Sequence, residues 1–544
     1  MPVSATLDRP SESAAPAAGG RTSSPLATAR ARAAIAALQA RLAPAAVDRP
    51  SVPVHAPFTG ELLGAVPRAT TDDVHAAVAR ARSAQRAWAA RPAAERAAVL
   101  LRFHDLLLRE RELGLDLAQL ETGKARRDAF QEVLDVANVA RYYGVRAPGL
   151  LRPRRRRGAY PGLTRVWELR HPVGVVGVLT PWNYPLNLPI TDSLPALAAG
   201  NAVVLKPDHA TSFTALWAVE LLYEAGIPRD LMPVLTGEGP VVGPPLIDAV
   251  DFVMYTGSTR TGRVVARQAG ERLVNASLEL GGKNPMLVLA DADLAAAAEG
   301  LARGAFVGAG QVCVSIERCF VMRPVYDAFT RLAVERTRAL RLGASLGWDV
   351  DVGSLSGPRQ LETVVRHVED ARARGATILC GGRARPDLGP YCYEPTLVAG
   401  AAPGMLLYAE ETFGPVVALY PVDGEDEAVA RANDTPYGLN ASVWSRDARR
   451  AVALAARVRS GSVNVNETYA ATWASVDAPI GGAGVSGLGG RRHGAEGLLK
   501  YTEVQTIAAQ RASPVSGGPG SDPEKSAAAI AKLLGVLRRV PGLR

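Results

Sequence analysis

Four short apolar runs between residues 173 and 258 constrain the fold of this chain more than any other feature. VGVVGVLT (173–180), NAVVLKP (201–207), MPVLTG (232–237) and DFVMYTGS (251–258) are β-rich and almost free of polar interruption. A strand with one wet face alternates apolar and polar residues, whereas a strand without alternation is covered on both faces. The segments between them, such as TALWAVELLYEAG (214–226), have helical character. Strand–helix–strand order with strands of this kind predicts an α/β fold around a parallel sheet layered by helices. Ligands of such sheets bind beyond the carboxyl ends of the strands, where PWN, KPDH and TGS stand in this chain.

A second strand–helix series starts near Asn284 (NPMLVLADADL) and runs to about Arg459. GSVNVN (461–466) either returns to the first unit or links the two, and YTEVQTIAAQ (501–510) reads as one late strand. Upstream, VPVHAPFTGELLGAVP (52–67) has a strand–turn–strand pattern. The helix after it is capped by Thr71 or Asp72, with Val74, Ala77, Val78, Ala81 and Trp88 at helical spacing. Another helical run extends from Ala93 to about Gln119. Residues 1–48, rich in Ala, Pro, Ser and Arg, predict a mostly disordered lead with one frayed helix. At the other end, AAAIAKLLGVLRRV (527–540) predicts a short basic amphipathic helix on a fraying tail.

A chain of 544 residues divides into two or more domains. Four cysteines provide no disulfide framework and point to a reducing cytoplasm. Neither CxxC nor HExxH occurs and the seven histidines are scattered, so no metal site is expected. No apolar run reaches membrane-spanning length, and the first twenty residues lack the pattern of a secretory signal, so a soluble protein with no integral membrane association is expected. Part of the formal charge of +9 lies in RPRRRRG (152–158). Without interleaved aromatics or a nucleic-acid module, this arginine run (152–157) reads as a solvated loop or a subunit contact, and no nucleic acid partner is expected.

Four segments carry candidate chemistry. In GAGQVCVSIERC (308–319), Cys313 follows a glycine-rich run that permits a tight turn. SLELGGKNP (277–285) sets Glu279 before a Gly-Gly pair, TPWNYP (180–185) sets Asn183 between a strand end and a proline, and EETFGP (410–415) contains Glu411 and Phe413. Cys319, Cys380 and Cys392 read as buried hydrophobes.

The order and spacing of PWNYP, LKP, TGSTRTG, LELGGKNP, GQVC, EETFGPV, NDTPYGLNASVW and APIGG resemble the aldehyde dehydrogenase superfamily over residues 50 to 510. VSIER, LLYEAGIP and GVSGLGGRRHGAEGLLKYTE are similar to bacterial succinate-semialdehyde dehydrogenases of the actinobacterial type. The resemblance implies a Rossmann-like cofactor domain over 49–278, a hairpin for oligomerisation near 159–172, and an α/β catalytic domain over 279–462. It also implies a return to the cofactor domain with an oligomerisation strand over 463–510, a linker and basic tail over 511–544, and a homodimer or homotetramer.

The same resemblance implies that Cys313 is the nucleophile, Glu279 the base that activates water, and Asn183 an oxyanion donor. For the cofactor it implies Trp182, Asn183, Lys206, Pro207, Asp208, His209, Gly257, Ser258, Leu280, Glu411 and Phe413. His209 stands where relatives that prefer NAD have a ribose-binding glutamate, so NADP or NAD is expected, with NADP favoured. Ser475 and Arg318 are candidate contacts for a substrate carboxylate. Val307 and Thr191 stand where arginines would favour a semialdehyde, and Gly484 where the family often has lysine. The expected reaction is oxidation of an aldehyde to an acid, with succinate semialdehyde first. A broader aliphatic or aromatic aldehyde dehydrogenase, with Trp182, Tyr184, Trp473 and Val307 lining a tunnel, is the alternative. A non-catalytic basic-patch binding protein on the same scaffold is a remote third.

Overall fold

The computed structural model describes residues 27–46, 49–158, 164–511, 520 and 522–539. Strands β1 (Ser51–His55) and β2 (Leu62–Pro67) form the expected antiparallel pair. The helix Ala29–Ala46 lies against β2 and is docked rather than frayed: Ala31, Ile35 and Leu38, at helical spacing, are buried. Burying each such aliphatic side chain is worth about 1.5–3 kcal/mol, enough to hold an Ala-rich helix in place. Composition alone suggested disorder because its apolar stripe is narrow. Residues 1–26 lie outside the described residues.

The next helix, Thr71–Ala89, is capped by Thr70 rather than Thr71 or Asp72, because Asp73 closes a capping box with it. All five residues expected on its apolar face are buried. The helices Ala93–Thr122 and Arg126–Leu151 follow.

β3 (Arg154–Arg156) and β4 (Thr164–Pro172) pair antiparallel, so the arginine run is an edge strand and not a loop. Arg155 stacks over the Trp167 ring at 4.9 Å and Arg156 pairs with Glu168, so part of the charge braces a small sheet. Residues 159–163 of the predicted hairpin lie outside the described residues.

β5 (Val175–Leu179), β6 (Ala202–Lys206), β7 (Phe252–Thr256) and β8 (Asn275–Glu279) make the parallel sheet read from the sequence, in the order β8-β7-β5-β6. β5 and β6 are buried throughout. MPVLTG forms no strand; it makes one bridge, Val234 to Leu205, because Pro233 removes a ladder donor. From β5 the chain goes to one side for β6 and then crosses to the other for β7, which creates a switch point.

The second sheet contains β9 (Asn284–Val288), β10 (Ile316–Met322), β11 (Thr377–Cys380), β12 (Thr396–Ala399), β13 (Val416–Val422), β14 (Asn440–Trp444) and β15 (Ser462–Val465). Its order is β11-β12-β13-β10-β9-β14-β15, parallel except for β11. GSVNVN therefore stays in this sheet, and the boundary expected at 462/463 falls inside β15. The chain then returns: β16 (Gly487–Leu488) pairs with β8 and β17 (Thr502–Gln510) with β4. The terminal helix spans Pro523–Leu537 and buries no residue.

Glu279 ends β8 and Asn284 begins β9, so four residues join the two sheets. The carboxyl ends of β5, β7 and β8 consequently face the amino ends of β9, β10 and β14 across one gap.

Candidate active site

The Cys313 segment enters that gap through a turn that only a few residues tolerate. Gly308, Ala309 and Gly310 all have positive φ, at 58°, 55° and 72°. For Ala309 this left-handed conformation costs about 1–2 kcal/mol. A side chain on Gly310 would meet the carbonyl oxygen of Gly414 at 2.1 Å. Buried groups hold the turn: the Gly308 N–H donates to Asp128 (2.8 Å), and the Gln311 amide donates to the Gly308 carbonyl (3.0 Å) while accepting from the Ser356 N–H (2.9 Å). The amide of Asn284 donates to the carbonyls of Cys313 (2.8 Å) and Ser315 (2.7 Å), which fixes the exit into β10.

Asn183 lies beyond the end of β5. Its Nδ2 donates to the Gln311 carbonyl at 2.9 Å, its second N–H is left for the cavity, and its buried Oδ1 has no hydrogen-bond partner among the described residues. Lys124 donates to the Asn183 carbonyl (2.8 Å) and to Glu132, whose other oxygen accepts from the N–H groups of Leu186 and Asn187. Asn183 is thus clamped from the backbone side, by residues that sequence reasoning had not singled out. A lysine in the turn between two helices and a glutamate in the second of them read as surface residues until the fold buries them.

Glu279 is buried. One carboxylate oxygen accepts from the Gly482 N–H at 3.3 Å, and the Cβ that Gly481 lacks would lie 2.6 Å from the other. Burial pushes its carboxyl above the ordinary range, against the opposing charges of Arg492 and Lys500. Burial likewise pushes the half-buried Cys313 thiol up to about 12, with Arg492 again acting in the opposite sense. The free site therefore holds a neutral thiol beside a carboxyl group of raised proton affinity.

Two cavities meet at these residues. The first is lined by Asn183, Cys313 and Glu279 and walled by Tyr184, Leu188, Val312 and other apolar groups. The second also reaches Asn183 and Cys313 and continues past Trp182, Gly257, Ser258, Leu280, Glu411 and Phe413. Those residues come from the carboxyl ends of β5, β7 and β8 and from the segment before β13. Trp182 and Phe413 meet edge to face at 5.7 Å. Glu411 accepts from the Gly282 N–H at 2.8 Å, and a Cβ on Gly281 would stand 2.4 Å from its carboxylate. Glu317 accepts from the N–H groups of Thr412 and Phe413 and is neutralised by buried Lys283, which holds Phe413 at a positive φ of 52°.

The second cavity fits a dinucleotide. Gly257 and Gly281 keep its wall free of side chains, and Ser258 caps the helix Thr259–Glu271, whose N-terminus faces it and favours an anion. At the end of β6, Lys206 is buried and its ammonium makes no hydrogen bond among the described residues. Pro207 is buried beside it. Asp208 turns back to cap a short helical turn, accepting from the Ala210 N–H at 3.0 Å, and the same carboxylate lies 3.4 Å from Nδ1 of half-buried His209.

The candidate substrate residues fare differently. The guanidinium of Arg318 is turned away from the cavities and donates to the carbonyls of Lys283, Arg431 and Ala432, so its charge serves β10 rather than a ligand. Ser475 lies outside both linings, although Thr472 and Ile480 on either side of it line the first cavity. Thr191 lines that cavity, with its hydroxyl donating to the Asn187 carbonyl. Val307 opens behind the nucleophile turn, into a separate cavity lined by Arg127, Asp128 and Tyr469. The first cavity contains three groups that sequence reasoning missed: Asp135, Arg492 and His493. Burial raises the carboxyl of Asp135 to about 7 and lowers His493 to about 3. In the sequence, GGRRHG stood out only as part of a stretch similar to relatives, which says nothing of where its side chains lie. Among the described residues no group of three or more His, Cys, Asp or Glu could hold a metal, and no helix is long and apolar enough to cross a membrane.

The chain is 49% identical to a Mycolicibacterium smegmatis protein provisionally named succinate-semialdehyde dehydrogenase (NADP+), over 91% of this chain and 95% of that one. It is 38% identical to a betaine aldehyde dehydrogenase of Cereibacter sphaeroides, over 84% and 93%. The crystal structure of a Sinorhizobium meliloti NAD-dependent aldehyde dehydrogenase superposes with a TM-score of 0.83 at 35% identity, over 88% of this chain and 94% of that one. The model of the aldehyde dehydrogenase family matches residues 45–507, and with these relatives it establishes that the chain belongs to that family.

Proposed function

We propose that this enzyme oxidises succinate semialdehyde to succinate with NADP in preference to NAD, using Cys313 as nucleophile, Asn183 as oxyanion donor and Glu279 as base. One observation carries the assignment of roles: Cys313 and Asn183 border both cavities, while Glu279 faces only the first. An aldehyde in the first cavity then meets sulfur on the same side as the base and with the dinucleotide pocket opposite.

Glu279, with its raised proton affinity, takes the proton of the Cys313 thiol. The thiolate sulfur attacks the carbonyl carbon, and the carbonyl electron pair moves to oxygen. The second Nδ2 hydrogen of Asn183 and the backbone N–H of Cys313 donate to that oxygen, each worth about 3 kcal/mol. A dinucleotide held in the second cavity would supply the two-electron acceptor that oxidation of this adduct to a thioester requires. Glu279, once it has passed the thiol's proton to solvent, removes a proton from water. The water oxygen attacks the thioester carbon, and the C–S bond breaks with its electron pair returning to Cys313. Glu411 would hold hydroxyl groups of the bound dinucleotide, with Trp182 and Phe413 against it.

Several features favour NADP: the unoccupied ammonium of Lys206, His209 in place of a repelling carboxylate, and an Asp208 carboxylate already engaged by backbone. The relative at 49% identity carries both names, the semialdehyde and NADP. A second reading, a broader aliphatic or aromatic aldehyde dehydrogenase, is favoured by the apolar wall of Tyr184, Leu188, Val312 and Leu439. The exposed edge of β17, with Val504 and Ile507 half exposed, supports a homodimer or homotetramer, and four free cysteines support a cytoplasmic setting.

The test is formation of reduced nicotinamide from a panel of aldehydes with NADP and with NAD, for the wild type and Cys313→Ala. The expected result is highest kcat/KM with succinate semialdehyde and NADP, and a loss on the order of a thousand-fold or more in the variant. Higher kcat/KM with uncharged aldehydes overturns the substrate assignment, and a variant that keeps its rate overturns the role of Cys313.

A further inference from the structure

Arg492 is the only arginine or lysine among the described residues that line the cavity shared by Cys313, Asn183 and Glu279. Its backbone is fixed by a two-bond bridge to Ile480 (2.8 and 2.9 Å). Its guanidinium is held on one side: Nε and Nη2 donate to the two carboxylate oxygens of Asp192 at 3.0 and 2.6 Å, and Nη2 also donates to the Thr256 hydroxyl. Asp192 is 2% exposed on the helix Asn187–Ala199, and Thr256 ends β7. A bidentate pair between two buried partners is stiff and keeps its charges in place. Nη1 makes no hydrogen bond among the described residues.

We infer that Arg492, clamped by Asp192 and Thr256, is a positioning residue that supplies the fixed positive charge against which Glu279 exchanges its proton in thioester hydrolysis. The inference rests on the roles proposed above for Cys313 and Glu279. An isolated carboxylate in this apolar cavity would stay protonated and could not accept a proton from water. A fixed cation beside it restores part of its basic form without occupying it by direct pairing, which would make it a poor base.

The charges around Glu279 come from several elements. Arg492 and Lys500 act to lower its proton affinity and Asp192 to raise it. Lys500 donates to the Ser277 hydroxyl at 3.1 Å and is itself lowered to about 8. Arg491 stands across Gly481, bonded to the Gly482 carbonyl at 2.7 Å. His493, lowered to about 3, is neutral at ordinary pH. Asp135 lines the same cavity, and Glu411 faces Cys313 from the other one. Arg492 and Asp192, although partners, thus act on Glu279 with opposite sign.

That opposition sets the test. Hydrolysis of the acyl-enzyme is followed in single turnovers across pH for the wild type, Arg492→Met, Arg492→Lys and Asp192→Asn. The acid limb of the rate reports ionisation of Glu279. It is expected to move up by about one pH unit in Arg492→Met and down in Asp192→Asn, with Arg492→Lys between wild type and Arg492→Met. If Arg492→Met does not fold with Asp192 left uncompensated, the double variant Asp192→Asn/Arg492→Met removes both charges, and its limb is expected above that of Asp192→Asn. Limbs that stay in place, or that move the same way in both single variants, overturn the inference. A wild type inactive with every aldehyde overturns the dehydrogenase roles and this inference with them.

Discussion

The two cavities that meet at Cys313 are built in different ways. The dinucleotide side is assembled from strand ends: Trp182 and Asn183 after β5, Gly257 and Ser258 after β7, Leu280 and Gly281 after β8. These contributors are short contiguous motifs whose position follows from sheet topology, joined by Glu411 and Phe413 from the segment before β13 and by Gln360 from the helix Pro358–Ala373. The aldehyde side draws on Asp135 from one helix, Thr191 from another, Leu439 before β14, Thr472 from the short helix Ala470–Trp473, Ile480 from the loop after it, and Arg492 and His493 beyond. No motif spans these residues; only the packing of helices against the sheet brings them together. Acceptor chemistry is thus fixed by local geometry, while the choice of aldehyde depends on side chains that can vary one at a time.

Glu279→Gln is expected to break the link between the two sides most severely. Glutamine keeps the volume and the hydrogen bond to Gly482 but cannot take a proton. Steady-state turnover should fall by about a hundred- to a thousand-fold. Because Glu279 also takes the Cys313 proton, and burial holds that thiol up to about 12, the first-turnover burst of reduced nicotinamide should be lost as well. A burst equal to the number of sites, with the thioester accumulating, would mean that Glu279 acts on water alone.

Gly281→Ala should damage one side and spare the other. Its Cβ would stand 2.4 Å from the Glu411 carboxylate, so Glu411 must leave its bond to the Gly282 N–H. The expected outcome is a rise of about ten-fold in KM for the dinucleotide, in line with about 1.4 kcal/mol of lost binding, with a much smaller change in KM for the aldehyde. Equal changes in both would mean that the cavities are coupled through Cys313 and do not work as separate pockets.

This division also explains what could be read from the chain before its structure. The parallel sheet was legible because β5, β6 and β7 are unbroken apolar runs, and Cys313, Glu279 and Asn183 because each sits in a motif of fixed length. The docked helix at 29–46 was not, because alanine is equally at home in a frayed segment and against β2. MPVLTG misled because its composition suits a strand while Pro233 lacks the donor a strand needs. Arg318 misled because sequence proximity to Cys313 says nothing of direction: as β10 begins, its side chain turns away from the cavities toward three carbonyls. Arg492 was missed for the converse reason, being 179 positions from Cys313 in the chain but sharing a cavity with it.

The smallest expected effect is the one that most sharpens the comparison. Ser475 sits between two residues that line the aldehyde cavity but lies outside the lining itself, and the one turn bond it makes, accepting from the Ala478 N–H at 3.0 Å, uses its backbone carbonyl. Ser475→Ala deletes only the hydroxyl and leaves that bond intact. If the cavity works in the geometry described, KM for succinate semialdehyde should change by less than about two-fold, because losing no hydrogen bond to the ligand costs no binding energy. A rise of ten-fold or more, confined to aldehydes that carry a distal carboxylate, would mean that the loop 474–479 closes over the ligand and brings the hydroxyl inward. The aldehyde side would then differ from the dinucleotide side in a second respect: its binding surface would be completed by the substrate, whereas the strand ends that form the other cavity are already in place.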